Sequence, residues 1–231
     1  MINVHSSPVE AATLGSFGYN VVLRYRLDPS SHHSLIDLGK SQEFNPYFLA
    51  DVINAPFKKE FENIRALRSY NIPTLVDYLR KSHTEYLGKR IPEIEQTLQH
   101  LLSDNQVHPT LSFLLTNYFK GYKEGLIEHI ALEEKKLFPY ALSLYEYHLN
   151  QKVRPQLIGY SAMEFLSNHT HSELEATKVT SLFETYEPEK TNESPYRVLM
   201  EQLNSFSSDL EVHELLEDNV LVAQLLQLES D

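Results

Sequence analysis

The sequence predicts an all-α protein: an antiparallel, up-down four-helix bundle over residues 69–231, preceded by a small helical amino-terminal subdomain over residues 1–68. Three observations lead there. Four long segments carry apolar residues in steps of three and four, the period of a helix with one buried face. Breaks at Ser103-Asp104-Asn105, from Asn150 to Pro155 and from Tyr186 to Pro195 separate them, and short to medium connections favour antiparallel neighbours. No alternating run suggests a strand.

The amino-terminal stretch is punctuated by Gly15, Gly18, Asp28-Pro29-Ser30-Ser31 and Asn45-Pro46, each a turn or helix-start signal, so only short helices are expected there. Asn71-Ile72-Pro73 reads as a cap followed by an early-helix proline, which opens the first long helix. Its stripe runs Leu75, Leu79, His83, Leu87, Ile91, Ile94, Leu98, Leu101. The second runs Tyr118, Tyr122, Leu126, His129, Glu133, Leu137, Tyr140, and the third Ile158, Ala162, Phe165, His169, Glu173, Ala176, Thr180, Phe183. The fourth is Leu199, Leu203, Phe206, Leu210, His213, Glu217, Val220. Every long helix thus places a histidine in its apolar seam.

Composition narrows the chemistry. The 231 residues suffice for a full core. With 20 Lys and Arg against 32 Asp and Glu, the net charge of −12 repels phosphate backbones and anionic lipid, so no nucleic-acid partner and no membrane are expected. No apolar run approaches the ~20 residues of a spanning helix, and Met1-Ile2-Asn3-Val4-His5 lacks the basic and apolar regions of a signal peptide, which makes a cytoplasmic location the expectation. The absence of cysteine removes disulfides, thiolate metal ligation and a thiol nucleophile. Oxygen and nitrogen donors remain.

Among these, His-x-x-x-Glu occurs four times, at His129/Glu133, His169/Glu173, His171/Glu175 and His213/Glu217, where composition alone gives about one. Placement argues more strongly than number. The i, i+4 spacing puts both side chains on one helical face, and here that face is the apolar one, where an unpaired carboxylate is costly to bury. A single seam histidine is ordinarily a hydrogen-bonded core residue. Four of them with two or three glutamates are satisfied together by a pair of cations, and a bundle core lined by carboxylates and imidazoles suits two-iron or two-manganese centres. The candidate metal ligands are therefore His83, His129, Glu133, His169, His213 and Glu217, with or without Glu173 as an extra carboxylate. His171 lies about 200° around the helix from His169 and faces away. His32 and His33 fall in a polar turn, and His100, His108 and His148 lie near helix ends. Tyr118 and Tyr122 share the face of His129, either as core aromatics or as phenols that hydrogen-bond near the centre. Of the acidic run Glu124, Glu128, Glu133, Glu134, only Glu133 is expected to point inward.

These residues carry a family resemblance. Ser82-His83 followed by Arg90-Ile91-Pro92-Glu93-Ile94-Glu95, then His129 to Pro139 (HIALEEKKLFP), then Asn168-His169, then His213 to Leu221 (HELLEDNVL), are similar in order to the motifs of the hemerythrin-like fold. More closely they resemble the di-iron proteins that repair iron centres, the RIC or ScdA/YtfE-like family, over about residues 72–225. The resemblance implies a non-haem di-iron centre of two iron ions held by four histidines and two bridging glutamates, with manganese or zinc ranked behind iron. It further implies a role in nitrosative or oxidative stress, a small diatomic ligand such as O2 or NO, and damaged iron-sulfur proteins as partners. The alternative within the wider group is an O2- or NO-binding carrier or sensor without turnover, and a third reading gives the metal a structural role alone. Hemerythrins have a further histidine four positions after the first on the third helix; here that position is Glu173. Ser34 to Lys40, Phe48-Leu49 and Val52-Ile53-Asn54 resemble the small domain that precedes the bundle in this family. Relatives carry cysteine near the position of Gly39, which this chain lacks, so the segment is expected to serve as a docking or homodimer surface.

Overall fold

The computed structural model describes residues 1–58, 60–103, 109–150, 161–168, 178, 180–181 and 193–230, and every described regular element is helical. The amino-terminal helices are short because each has its own start signal. Helix α1 (Pro8–Thr13) opens with a capping box in which the Ser7 and Glu10 side chains each bond the other's backbone. Helix α2 (Ser16–Arg24) follows Gly15, whose φ of 131° suits glycine alone. Ser34 caps α3 (Leu35–Gln42), and Asn45 caps α4 (Pro46–Asn54) by accepting from the amides of Tyr47 and Phe48 with Pro46 in the first turn. Helix α5 (Glu60–Leu67) completes the set.

Three long helical stretches follow. Helix α6 (Ile72–Glu85) is capped by Asn71, whose Oδ1 accepts from the amide and hydroxyl of Thr74 at 3.0 and 2.7 Å. It passes through a π-helical segment, Tyr86–Arg90, into α7 (Ile91–Leu102). Helix α8 (Pro109–Leu132) continues through a second π segment, Glu133–Leu137, into α9 (Phe138–Asn150). After α10 (Ala162–Asn168), the last stretch comprises α11 (Glu193–Glu214), a third π segment at Leu215–Val222 and α12 (Ala223–Ser230). Most of the expected third long helix lies outside the described residues, but Ala162 and Phe165 of its stripe are buried.

The chain forms two compact units, one of residues 1–82, 134–169 and 212–231, the other of residues 83–133 and 170–211. The first buries Val21, Phe48, Ile53, Leu75, Tyr78, Phe138 and Leu221 almost completely. Its amino terminus is pinned by Asn54, whose side chain accepts from Ile2 N at 2.8 Å and donates to Ile2 O at 2.7 Å. Arg24, itself buried, donates to the Tyr78 hydroxyl at 2.6 Å, which gives its charge a partner away from water. The second unit has an apolar core of Ile94 and Leu98 from α7, Phe119 and Leu126 from α8, and Leu203, Phe206 and Leu210 from α11. Truncating any one of these to Ala would cost about 2–5 kcal/mol through lost burial and a residual cavity.

The stripe of the first long helix is corrected at one position. Leu87 was expected inside and is 37% exposed, whereas Tyr86 is 1% exposed. The cause is the π segment, which adds a residue to the turn and carries the buried face from Tyr86 five positions on to Ile91.

Candidate metal centre

Helical spacing delivers the candidate donors to buried faces. His83 follows Leu75 and Leu79 along α6 in steps of four, and all three are buried. His129 and Glu133 stand one turn apart where α8 meets its π segment, and the Glu133 side chain has no exposure. His83 Nε2 lies 2.7 Å from Glu133 Oε2, and His129 Nε2 contacts Oε1 of the same carboxylate. One carboxylate therefore takes an imidazole nitrogen on each of its two oxygens. Burial would raise the Glu133 pKa, but hydrogen bonds from His129 and His83, with their charge when protonated, outweigh it and hold the group well below the usual carboxylate range.

The last long stretch repeats the spacing. His213 and Glu217 are 3% and 0% exposed, and His213 Nε2 lies 3.8 Å from Glu217 Oε2. The two are too far apart for a direct hydrogen bond, so the gap between them suits a third atom.

Among the described residues, the three π segments fall at these positions. Tyr86–Arg90 begins three residues after His83, Glu133–Leu137 begins at Glu133 itself, and Leu215–Val222 contains Glu217. A π turn swings a side chain out of ordinary helical register and is frequent at functional positions.

The donor chemistry fits a divalent cation. Among the described residues the buried donors form two groups, His83, His129 and Glu133 in one unit and His213 and Glu217 in the other, and an all-nitrogen-and-oxygen set in a chain without cysteine suits iron or manganese. His169 and Glu173, together with His171 and His108, lie outside the described residues. His5, His32, His33 and His100 are exposed, and His148 bonds the Leu228 carbonyl at 2.8 Å. Glu124 and Glu128 are exposed, and Glu134 pairs with Arg80 at 3.1 Å, so in the acidic run only Glu133 is buried. Tyr122 is buried, but Tyr118 is 39% exposed and its expected place on the inner face belongs to Phe119.

No protein-family model and no solved structure matches this chain. It is similar to the iron-sulfur cluster repair protein ScdA of Staphylococcus haemolyticus (strain JCSC1435). The two are 21% identical over 229 residues, which cover 96% of this chain and 98% of the relative. A likeness that runs nearly end to end supports a relationship to iron-sulfur cluster repair proteins.

Two features escaped the sequence reading. Asp209 is fully buried and accepts from the Tyr86 hydroxyl at 2.8 Å. Its signal was present, because Asp209 stands four residues before His213 and Tyr86 three after His83, both on the inward faces. Arg68, whose guanidinium reaches the third π segment, has no such periodic signal. Among the described residues no helix is long and apolar enough to cross a membrane.

Proposed function

We propose that this chain is a cytoplasmic non-haem di-iron protein of the iron-sulfur cluster repair type, acting under nitrosative or oxidative stress. Its centre would be held by His83, His129, Glu133, His213 and Glu217, with His169 from the third helix, inside a hemerythrin-like antiparallel four-helix bundle formed by residues 69–231. The observation that carries the reading is Glu133, a carboxylate without solvent exposure that faces an imidazole nitrogen on each oxygen. Such a carboxylate, with His83 and His129 beside it, would offer cations an oxygen on either side and an imidazole with each. The nearly full-length likeness to ScdA directs the reading toward repair.

When bound, an iron pair supplies one-electron redox steps and open coordination positions for a diatomic such as O2 or NO. The chain's part is to keep the carboxylates ionised and the donors oriented. Burial of Glu133 and Glu217 keeps water from competing for their oxygens. The lowered Glu133 pKa keeps that carboxylate ionised and ready for a cation at any physiological pH. Damaged iron-sulfur proteins are the partners this reading implies.

The test is metal content per chain in protein grown with ample iron and purified without chelator or nickel. About two iron atoms are expected, falling below one in Glu133→Ala and Glu217→Ala and unchanged in His171→Ala, since a carboxylate that bridges would be lost to both ions at once. Full occupancy in both glutamate variants would defeat the proposed centre. Repair is tested separately, by restoring an enzyme whose iron-sulfur cluster has been damaged with NO. Failure to restore it, in iron-loaded protein that binds O2 or NO reversibly, would favour the carrier.

A further inference from the structure

The stretch that carries His213 and Glu217 is widened into π geometry at Leu215–Val222. A π turn holds one residue more than an α turn, which offsets its carbonyls from the amides four residues on and turns them toward donors outside the helix. Arg68 is such a donor. It lies between α5 and α6, and its Nε and one Nη donate to the carbonyl of Asn219 at 3.1 and 3.0 Å. The tie is reciprocal, because the Gln224 side-chain amide, just past the π segment, donates to the carbonyls of Arg68 and Tyr70 at 3.1 and 2.9 Å. The guanidinium therefore closes on the main chain two residues after Glu217, whose side chain is fully buried.

We propose that Arg68 is a positioning residue for Glu217, and the inference rests on the reading of Glu217 as a metal ligand. By holding the Asn219 carbonyl with two donors, Arg68 fixes the rotation of the π turn and with it the direction of the Glu217 carboxylate. A guanidinium suits this task because its donors lie in a rigid fork, whereas a lysine ammonium has no such fork with which to hold the carbonyl from two sides. The role also gives the amino-terminal segment a part in metal affinity, since Arg68 lies at the end of residues 1–68. That part needs no thiol, in keeping with a segment that contains no cysteine.

The experiment compares wild type, Arg68→Ala, Arg68→Lys and Gln224→Ala, all full length. Anaerobic titration with ferrous iron alone gives the affinity for each ion, and amide hydrogen exchange of the metal-free proteins reads the π segment directly. Outer partners that orient ligands are worth about 10–100-fold in metal affinity. Arg68→Ala is accordingly expected to bind one of the two ions at least about tenfold more weakly, with Arg68→Lys in between. In the metal-free protein, Arg68→Ala should speed exchange across residues 215–222 and leave α7 and α8 unchanged. Gln224→Ala removes the reverse hydrogen bonds and serves as the control for general loosening: it should lower the melting temperature while keeping near wild-type affinity. Wild-type affinity in Arg68→Ala, or an equal loss in Gln224→Ala at the same melting temperature, would overturn the positioning role. Wild type that takes up no iron would remove the metal-centre reading and the inference with it. Two ions in wild type and two equally tight ions in Arg68→Ala would remove the inference alone.

Discussion

Tyr86 donates its phenolic hydrogen to Asp209 across 2.8 Å, and neither side chain is reached by solvent. The bond joins the first residue of the Tyr86–Arg90 π segment to α11. Its ring also packs edge-on against Phe206 at 5.1 Å. Tyr86→Phe keeps that ring contact and removes one donor from a buried carboxylate, so unfolding stability should fall by about 1–3 kcal/mol. Denaturant unfolding measures this. A change under about 0.5 kcal/mol would mean that other partners of Asp209 suffice.

Glycines that look alike in sequence should respond oppositely to alanine. A Cβ on Gly18 would meet the Ala11 carbonyl oxygen at 2.3 Å, an encounter with backbone that cannot swing aside. Gly18→Ala must push α1 and α2 apart and is expected to cost about 1–3 kcal/mol. At Gly121 and Gly125 in α8 a Cβ would meet nothing within 4 Å. Alanine there should stabilise by about 0.5–1 kcal/mol through reduced backbone entropy of the unfolded chain. Melting temperatures of the three single variants decide it, and a stable Gly18→Ala would contradict the close approach of the two helices.

Acid should weaken the amino-terminal helices first through their caps. The Ser7 amide and hydroxyl donate to Glu10 and lower its pKa below 4.5, and the Ser34 hydroxyl lowers Asp37 below 3.8. A carboxylate whose folded pKa is depressed contributes stability above its unfolded value, and that contribution is lost as the pH falls through the folded one. Melting temperature should therefore decline as the pH falls below these ordinary values, and Glu10→Gln should flatten part of the decline. An unchanged slope in that variant would show that the capping carboxylate has no role in acid sensitivity.

The seam of the last long stretch was fully legible, because Leu199, Leu203, Phe206, Leu210, His213, Glu217 and Val220 follow helical spacing and every one is buried. Leu87 and Tyr118 were misplaced for related reasons. Steps of three and four are both helical, so periodicity alone did not choose Phe119 over Tyr118. No local pattern announces the extra residue of a π turn, which shifts the face from Leu87 to Tyr86. The first residue of that turn has its partner, Asp209, far away in the chain. Arg68 was hidden for a like reason: its partner is a main-chain carbonyl, which leaves no mark on the identity of Asn219.

Metal removal gives the last prediction. Glu133 faces an imidazole nitrogen on each oxygen, and the helices around it rest on apolar cores of their own, so the fold is expected to outlast loss of a cation. A bound cation should add stability by mass action, about 2.7 kcal/mol when its free concentration is 100 times its dissociation constant. Chelation of loaded wild type should then lower the melting temperature to a plateau, with helix content by circular dichroism retained at 25 °C. Glu133→Ala should sit near or below that plateau and show no response to chelator, because it has lost the carboxylate shared by both imidazoles. The discriminating comparison is between variants: an identical chelator response in wild type and Glu133→Ala would place the bound metal elsewhere on the chain.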